Sequence, residues 1–310
     1  MNPAWSVIVF TTLAGAAQGL VVTLALSALA GIAPQGGFVG PALWVALLML
    51  VLSLGASFLH LGHPERAWRA VLMWRSSWLS REVIVLPAFI GVVALWALAL
   101  RLGTSGTVIT TLMLLALALA LLLWWCTAMI YACLRFVQEW AHRLTVINYL
   151  LIGLASGMLL TAALAASAGH GGYAYRLAQA TLLITLLAWA TRTLALRRNA
   201  ALKPTSTAQS ATGIPAARLR QTSMGMTGGS FNTREFFHGM GAVVMQRVRW
   251  ALHGLGFGLP ALLILAALYS GRSQLLIVAV VVQAVGLLAE RWMFFAQARH
   301  PQNVYYQVVS

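Results

Sequence analysis

His60 and Glu82 are the residues of this 310-residue chain whose types and places best suit chemistry. They lie within HLGHPERAWRAVLMWRSSWLSREVI, His60 to Ile84, a stretch with two histidines, two glutamates, four arginines and three tryptophans. His60 closes one long apolar run and Glu82 opens the next. Two ionisable groups therefore reach one membrane edge at the ends of consecutive segments, and such groups are functional candidates by default. The chemistry that fits is quinone redox, which moves two electrons and two protons. An imidazole titrating near neutrality can donate to a quinone carbonyl or carry a proton, and a carboxylate can pass that proton on. A blander reading stands beside this one. The stretch also suits an amphipathic helix lying in the interface. Trp68, Trp74 and Trp78 would form an aromatic belt, and Arg66, Arg69, Arg75 and Arg81 would meet anionic head groups or an acidic partner. Ser80 with Glu82 would then be an ordinary helix start, a cap with an acid near the positive end of the helix dipole.

The elements that must position these residues follow from composition. Hydrophobic residues make up 61% of the chain and charged residues 8%, with a mean hydropathy of +0.85. Soluble domains carry about 25% charged residues, so soluble, disordered and disulfide-scaffold classes are excluded. The apolar runs are long and unbroken, unlike the alternating segments of an outer-membrane barrel. A span needs about 20 apolar residues, and eight windows qualify: 5–30, 40–60, 83–102, 107–134, 147–168, 175–196, 251–269 and 273–295. The expected fold is an all-α integral membrane protein, a single eight-helix bundle spanning 1–310. The first window, which lacks a basic leader, is read as a span and not a cleaved signal. GxxxG pairs at Gly15/Gly19, Gly153/Gly157 and Gly254/Gly258 predict close helix crossings.

Charge sets the orientation. There are 20 Lys and Arg against 5 Glu, and all the basic residues except Arg101, Arg176 and Arg272 fall on one side of the alternating connections. That side receives both termini, 61–82, 135–146 and the long loop 197–250. The positive-inside rule makes it cytoplasmic, which places the chain in the cell inner membrane with both termini inside. The net +15 is thus a topology signal, not a nucleic-acid footprint. The long inner loop has an Ala/Ser/Thr/Gly-rich middle followed by FNTREFFHGM, whose Arg234 and Glu235 make a second docking candidate. SFNTRE, Ser230 to Glu235, echoes SWLSRE, Ser77 to Glu82; two similar helix starts explain this better than a repeat.

Other chemistries fit less well. Cys126 and Cys133 match no zinc, redox or cluster spacing and read as small buried hydrophobes. Neither an iron–sulfur cluster nor a metal site is expected in this chain. Bis-histidine haem needs facing histidines at matching depth. None of the seven histidines lies mid-span, and a single His60–His253 haem at the inner rim is the residual possibility. A transporter is the main rival class. Its expected midplane charges are missing, and Gln18 and Gln283 read as interhelical hydrogen-bonders.

With these residues in view, the chain resembles the DMSO reductase membrane-anchor (DmsC-type) family. The resemblance rests on the His60–Ile84 stretch, on MTGGSFNTREFFHG and on the tail AERWMFFAQARHPQNVYYQ. It implies a non-catalytic anchor that holds two partners, a molybdopterin catalytic subunit and a ferredoxin-like four-cluster iron–sulfur subunit. It also implies electron exchange with ubiquinone or menaquinone and no haem. By position it makes His60 and Glu82 quinone-site residues, with Arg81 adjacent. DMSO-reducing members face the periplasm, whereas the arginine pattern here faces the cytoplasm, similar to the sulfite-oxidising members. The expectation is quinone reduction coupled to cytoplasmic sulfite oxidation, with Arg66, Arg69, Arg75, Arg234 and Glu235 docking the partner.

Overall fold

The computed structural model describes residues 1–34, 37–59, 61–223, 233 and 235–305. Among them there is no strand, and eight helices are long and apolar enough to cross a membrane. They are α1 (Trp5–Leu29), α2 (Val39–Phe58), α3 (Trp78–Leu102), α4 (Gly106–Ala132), α5 (Arg143–Ser167), α6 (Gly171–Ala200), α7 (Ala242–Ser270) and α8 (Gln274–Ala296). The chain is an all-helical, multi-pass membrane protein. The Met1 amine donates to the Ala298 carbonyl at 2.8 Å, so the N-terminus and the end of α8 lie at the same end of the bundle.

Several helices outrun the apolar windows. α3 starts at Trp78, α5 at Arg143 and α7 at Ala242, and α6 continues to Ala200. An apolar window marks the hydrocarbon core, whereas the backbone stays helical through the head-group layer, where arginine side chains stretch to water. The 197–250 connection is shortened accordingly and contains the one-turn helix Ala208–Thr212. The α2–α3 return folds as a 3₁₀ helix, Pro64–Met73. The cap of α3 is Ser77, whose hydroxyl accepts from the Ser80 N–H at 3.3 Å. Ser80 and Glu82 therefore sit inside the first turns and are buried.

The eight helices form two groups of four. In the first, α1 packs on α2, α2 on α3, α3 on α4, and α4 closes on α1; in the second, α5 to α8 close in the same way. α1 and α5 join the groups and are the most buried of the eight. Their glycines explain the contact. A Cβ on Gly19 would come 2.1 Å from the Gly153 oxygen, and one on Gly157 would come 2.1 Å from the Gly19 carbon. Two of the three GxxxG pairs thus face each other. At the third the contact falls elsewhere: Gly256 meets Gly286 of α8, where an added Cβ would lie 2.0 Å from the Gly256 nitrogen. Gly256 belongs to a π-helical turn, Gly254–Gly258. Pro260 has no N–H for the Gly256 carbonyl, and the helix widens locally to accommodate that loss.

Candidate functional site

A cavity of about 550 Å³ opens among α1, α2, α3 and α4, under the 3₁₀ return. Its walls are mainly apolar: Phe10 of α1, Leu54 and Phe58 of α2, Leu86 and Pro87 of α3, Ile130 of α4. Trp68 and Glu65 of the return border it. Three polar side chains line it from the helices, Ser57, Glu82 and Tyr131, and the Ser57 hydroxyl is spent on the Leu54 carbonyl of its own helix at 2.7 Å. Glu82 is 5% exposed and accepts a short hydrogen bond from the Thr127 hydroxyl; among the described residues no cation is paired with it. Thr127 and Tyr131 are four residues apart on α4, hence on one face. Pro87 removes the N–H that would bond the Val83 carbonyl, and both residues line the cavity.

The sequence-predicted residues separate in space. Glu82 lines the cavity, and so does Leu61 on the return. His60 lies outside the described residues, and with it the residual His60–His253 haem alternative. Arg81 points elsewhere. Its Nε donates to the Trp74 carbonyl at 2.9 Å and its Nη2 to the Arg75 carbonyl at 2.8 Å, with the guanidinium 4.1 Å from the Trp78 ring centre. It borders a separate groove with Trp74, Trp78 and Trp125 instead. A residue next to Glu82 in sequence is turned about 100° away on a helix of 3.6 residues per turn.

Arg66, Arg69 and Arg75 are exposed on the return. Arg69 and Arg75 lie over Trp68 and Trp74, and Arg66 is 3.7 Å from Glu65. Glu235 is exposed, and its carbonyl accepts from the Asn2 N–H at 2.8 Å; Arg234 is outside the described residues. His253 lies within α7, where its Nδ1 accepts from Trp189 Nε1 at 2.9 Å. Of the cysteines, Cys126 is buried as expected but Cys133 is exposed. Gln18 bonds the Ala14 carbonyl of its own helix at 3.1 Å, not a neighbouring helix. Among the described residues no group of three His, Cys, Asp or Glu is placed to hold a metal ion.

The family model for the DMSO reductase anchor subunit (DmsC) matches residues 1–296. The chain belongs to that family. Two relatives of the anchor are informative. It is 49% identical to a sulfite dehydrogenase subunit of Allochromatium vinosum over 326 aligned positions, covering 100% of both proteins. It is 28% identical to one chain of the anaerobic dimethyl sulfoxide reductase of Escherichia coli over 194 positions, covering 59% of this protein and 65% of that one. The protein is accordingly a membrane anchor subunit of a molybdoenzyme complex.

Sequence reasoning did not find the anchor's second polar centre. Glu290 of α8, 1% exposed, forms ion pairs with Arg192 Nε of α6 at 2.8 Å and with Arg291 Nε at 3.3 Å. The Arg291 guanidinium also lies 4.0 Å from the ring centre of Tyr149. In the sequence Arg192 and Arg291 count only as topology markers at helix ends, yet both are buried. Thr127 and Tyr131 were likewise missed. The available signal was the i, i+4 spacing of two polar side chains in the apolar run WWCTAMIY.

Proposed function

We propose that the anchor exchanges electrons between its complex and the membrane quinone pool at the Glu82 cavity. The observation that carries this reading is a 550 Å³ cavity, mainly apolar, that holds a buried carboxylate without a counter-ion among the described residues. Apolar walls with a few placed polar groups are what binds a hydrophobic cofactor. A quinone ring would sit among Phe10, Phe58 and Leu86, with its isoprenoid tail leaving toward lipid. Glu82 would relay protons, Thr127 would hold that carboxylate in place, and Tyr131 would offer a donor to a carbonyl oxygen. His60, between the cavity-lining Phe58 and Leu61 in sequence, would serve the other carbonyl. Arg81 would act at one remove, fixing the α2–α3 return to the start of α3.

The partners would be a molybdopterin catalytic subunit and a ferredoxin-like iron–sulfur subunit. The latter's nearest cluster would supply the electrons that reduce ubiquinone or menaquinone. Exposed Arg66, Arg69 and Arg75 on the return, together with Arg234 and Glu235, would dock it, since complementary charge steers and orients association. The full-length similarity to a sulfite dehydrogenase subunit supports sulfite as the partner's substrate. The arginine distribution supports a cytoplasmic docking face in the inner membrane.

The test is His60→Ala in the assembled complex. Quinone-linked turnover should be lost while turnover with an artificial acceptor survives; equal loss of both contradicts the assignment. A reporter fused at Ser310 should be active in the cytoplasm, and periplasmic activity would reverse the orientation.

A further inference from the structure

Resting on the quinone reading above, we propose that Tyr149, in series with Tyr131, carries protons between the Glu82 cavity and a polar pocket in the second helix group. That pocket, about 10 Å³ in volume, is lined by Tyr149, Arg192, Glu290 and Arg291 on the inside and by Glu139 and His142 toward the surface. It is the size of one water, and His142 at its edge is exposed. Tyr131 lines the large cavity and Tyr149 the small one. Their rings stack at 5.9 Å with 12° between planes, so this pair is the partition between the two spaces.

Packing alone does not explain the hydroxyls. Tyr131, Trp140, Tyr149, Phe294 and Phe295 form one aromatic cluster in which phenylalanine would pack as well. A buried hydroxyl without a partner is costly. Yet Tyr149 Oη and Arg192 Nη2 are buried and make no hydrogen bond to any described group. Both belong to residues that line the small pocket. The groups facing Tyr149 are Tyr131 from α4, Arg192 from α6, and Glu290 and Arg291 from α8. Two guanidiniums against one carboxylate leave a net positive charge beside Tyr149.

The steps balance. Two electrons from the partner and two protons convert quinone to quinol. Tyr131 O–H gives its proton to a quinone oxygen as charge arrives. A water bridging the two hydroxyls passes the proton of Tyr149 O–H to the Tyr131 phenolate oxygen, and Tyr149 regains a proton drawn from the bulk solution past His142 and Glu139. This path supplies one proton and Glu82 the other, and quinol oxidation runs both in reverse.

The experiment uses the complete complex in liposomes with decylubiquinone as acceptor, comparing wild type, Tyr149→Phe, Tyr131→Phe and Glu82→Gln. Tyr149→Phe keeps the ring and the stack. Its quinone-linked kcat should fall about 10²-fold or more, the scale of a lost proton-transfer group. KM and artificial-acceptor turnover should be unchanged, and the solvent deuterium isotope effect should rise. Tyr131→Phe should show the same isotope signature, which keeps the test standing if one variant assembles poorly. Wild-type kcat and isotope effect in Tyr149→Phe, with Glu82→Gln impaired, would overturn the relay alone. If Glu82→Gln is also silent, the quinone reading itself has failed.

Discussion

Each half of the bundle buries one glutamate, and the two are treated in opposite ways. Glu290 in the second half is clamped by Arg192 and Arg291 and faces a pocket of about 10 Å³. Glu82 in the first half has the neutral Thr127 hydroxyl as its hydrogen-bond partner and faces a cavity of about 550 Å³. A carboxylate fully matched by cations is held in one state, and removing it strands the buried charges. A carboxylate with one neutral donor and open space beside it can take up and release a proton. The difference teaches that a buried acid marks a site only when its surroundings leave it something to do.

The largest effect that could break this comparison is on folding. Glu290→Ala leaves two buried guanidiniums unpaired and should cost about 3–5 kcal/mol, read as a lower melting temperature or lost assembly in detergent. Glu82→Gln keeps an acceptor for Thr127 and should leave melting nearly unchanged. Its quinone-linked turnover should instead fall by roughly 10²-fold or more, the lower range for a general acid–base group. If the two variants behaved alike, the halves would not differ in role.

The joint between the halves comes next. Gly157→Ala drives a methyl into the Gly19 backbone. Overpacking of this kind should cost about 1–3 kcal/mol, seen as a lower melting temperature. Gly91, with open space around its Cβ position, should accept the same change with little loss.

The smallest effect concerns pH. Burial lowers the Met1 amine from 8.0 to about 6, an effect Glu139 partly offsets. Burial also pushes His142, His238 and His300 below the usual 6.5. In each case the folded state disfavours the protonated base, so the unfolded segment binds more protons and stability falls on acidification. The loss runs from pH 8 down to about 6 for the amine and continues below 6.5 for the histidines. These groups gather at one end of the bundle, around residues 235–241 and 297–305: the Met1 amine meets Ala298, His238 shares a pocket with both, and His142 borders the pocket that Gln297 lines. Hydrogen exchange there should quicken on acidification, after correction for intrinsic rates, while Pro64–Met73 stays unchanged.

The fold was legible in the sequence because lipid leaves the backbone few choices. An apolar run of span length must be a helix, and all eight windows became one. The helix ends were less legible, because arginines that break an apolar window do not break a helix. Glu82 could be singled out because it opens α3 among apolar residues. Thr127 and Tyr131 come from a helix distant in sequence and carry no charge, so nothing local tied them to it. The Arg192–Glu290 pair spans α6 and α8, and charge counting assigned its arginine to orientation. The turn of Arg81 away from the cavity follows from the helical period once both residues lie inside α3, which the cap at Ser77 ensures. The Gly256–Gly286 crossing joins α7 to a glycine of α8 that belongs to no GxxxG pair, so the pairs alone did not reveal it.

Photolabelling with an azido-quinone tests the central claim most directly. Labelled complex, digested and mapped by mass spectrometry, should carry the adduct on cavity peptides containing Phe10, Leu86 or Tyr131, and excess unlabelled quinone should suppress it. Competable label confined to the second half, around Arg192 and Glu290, would contradict the account.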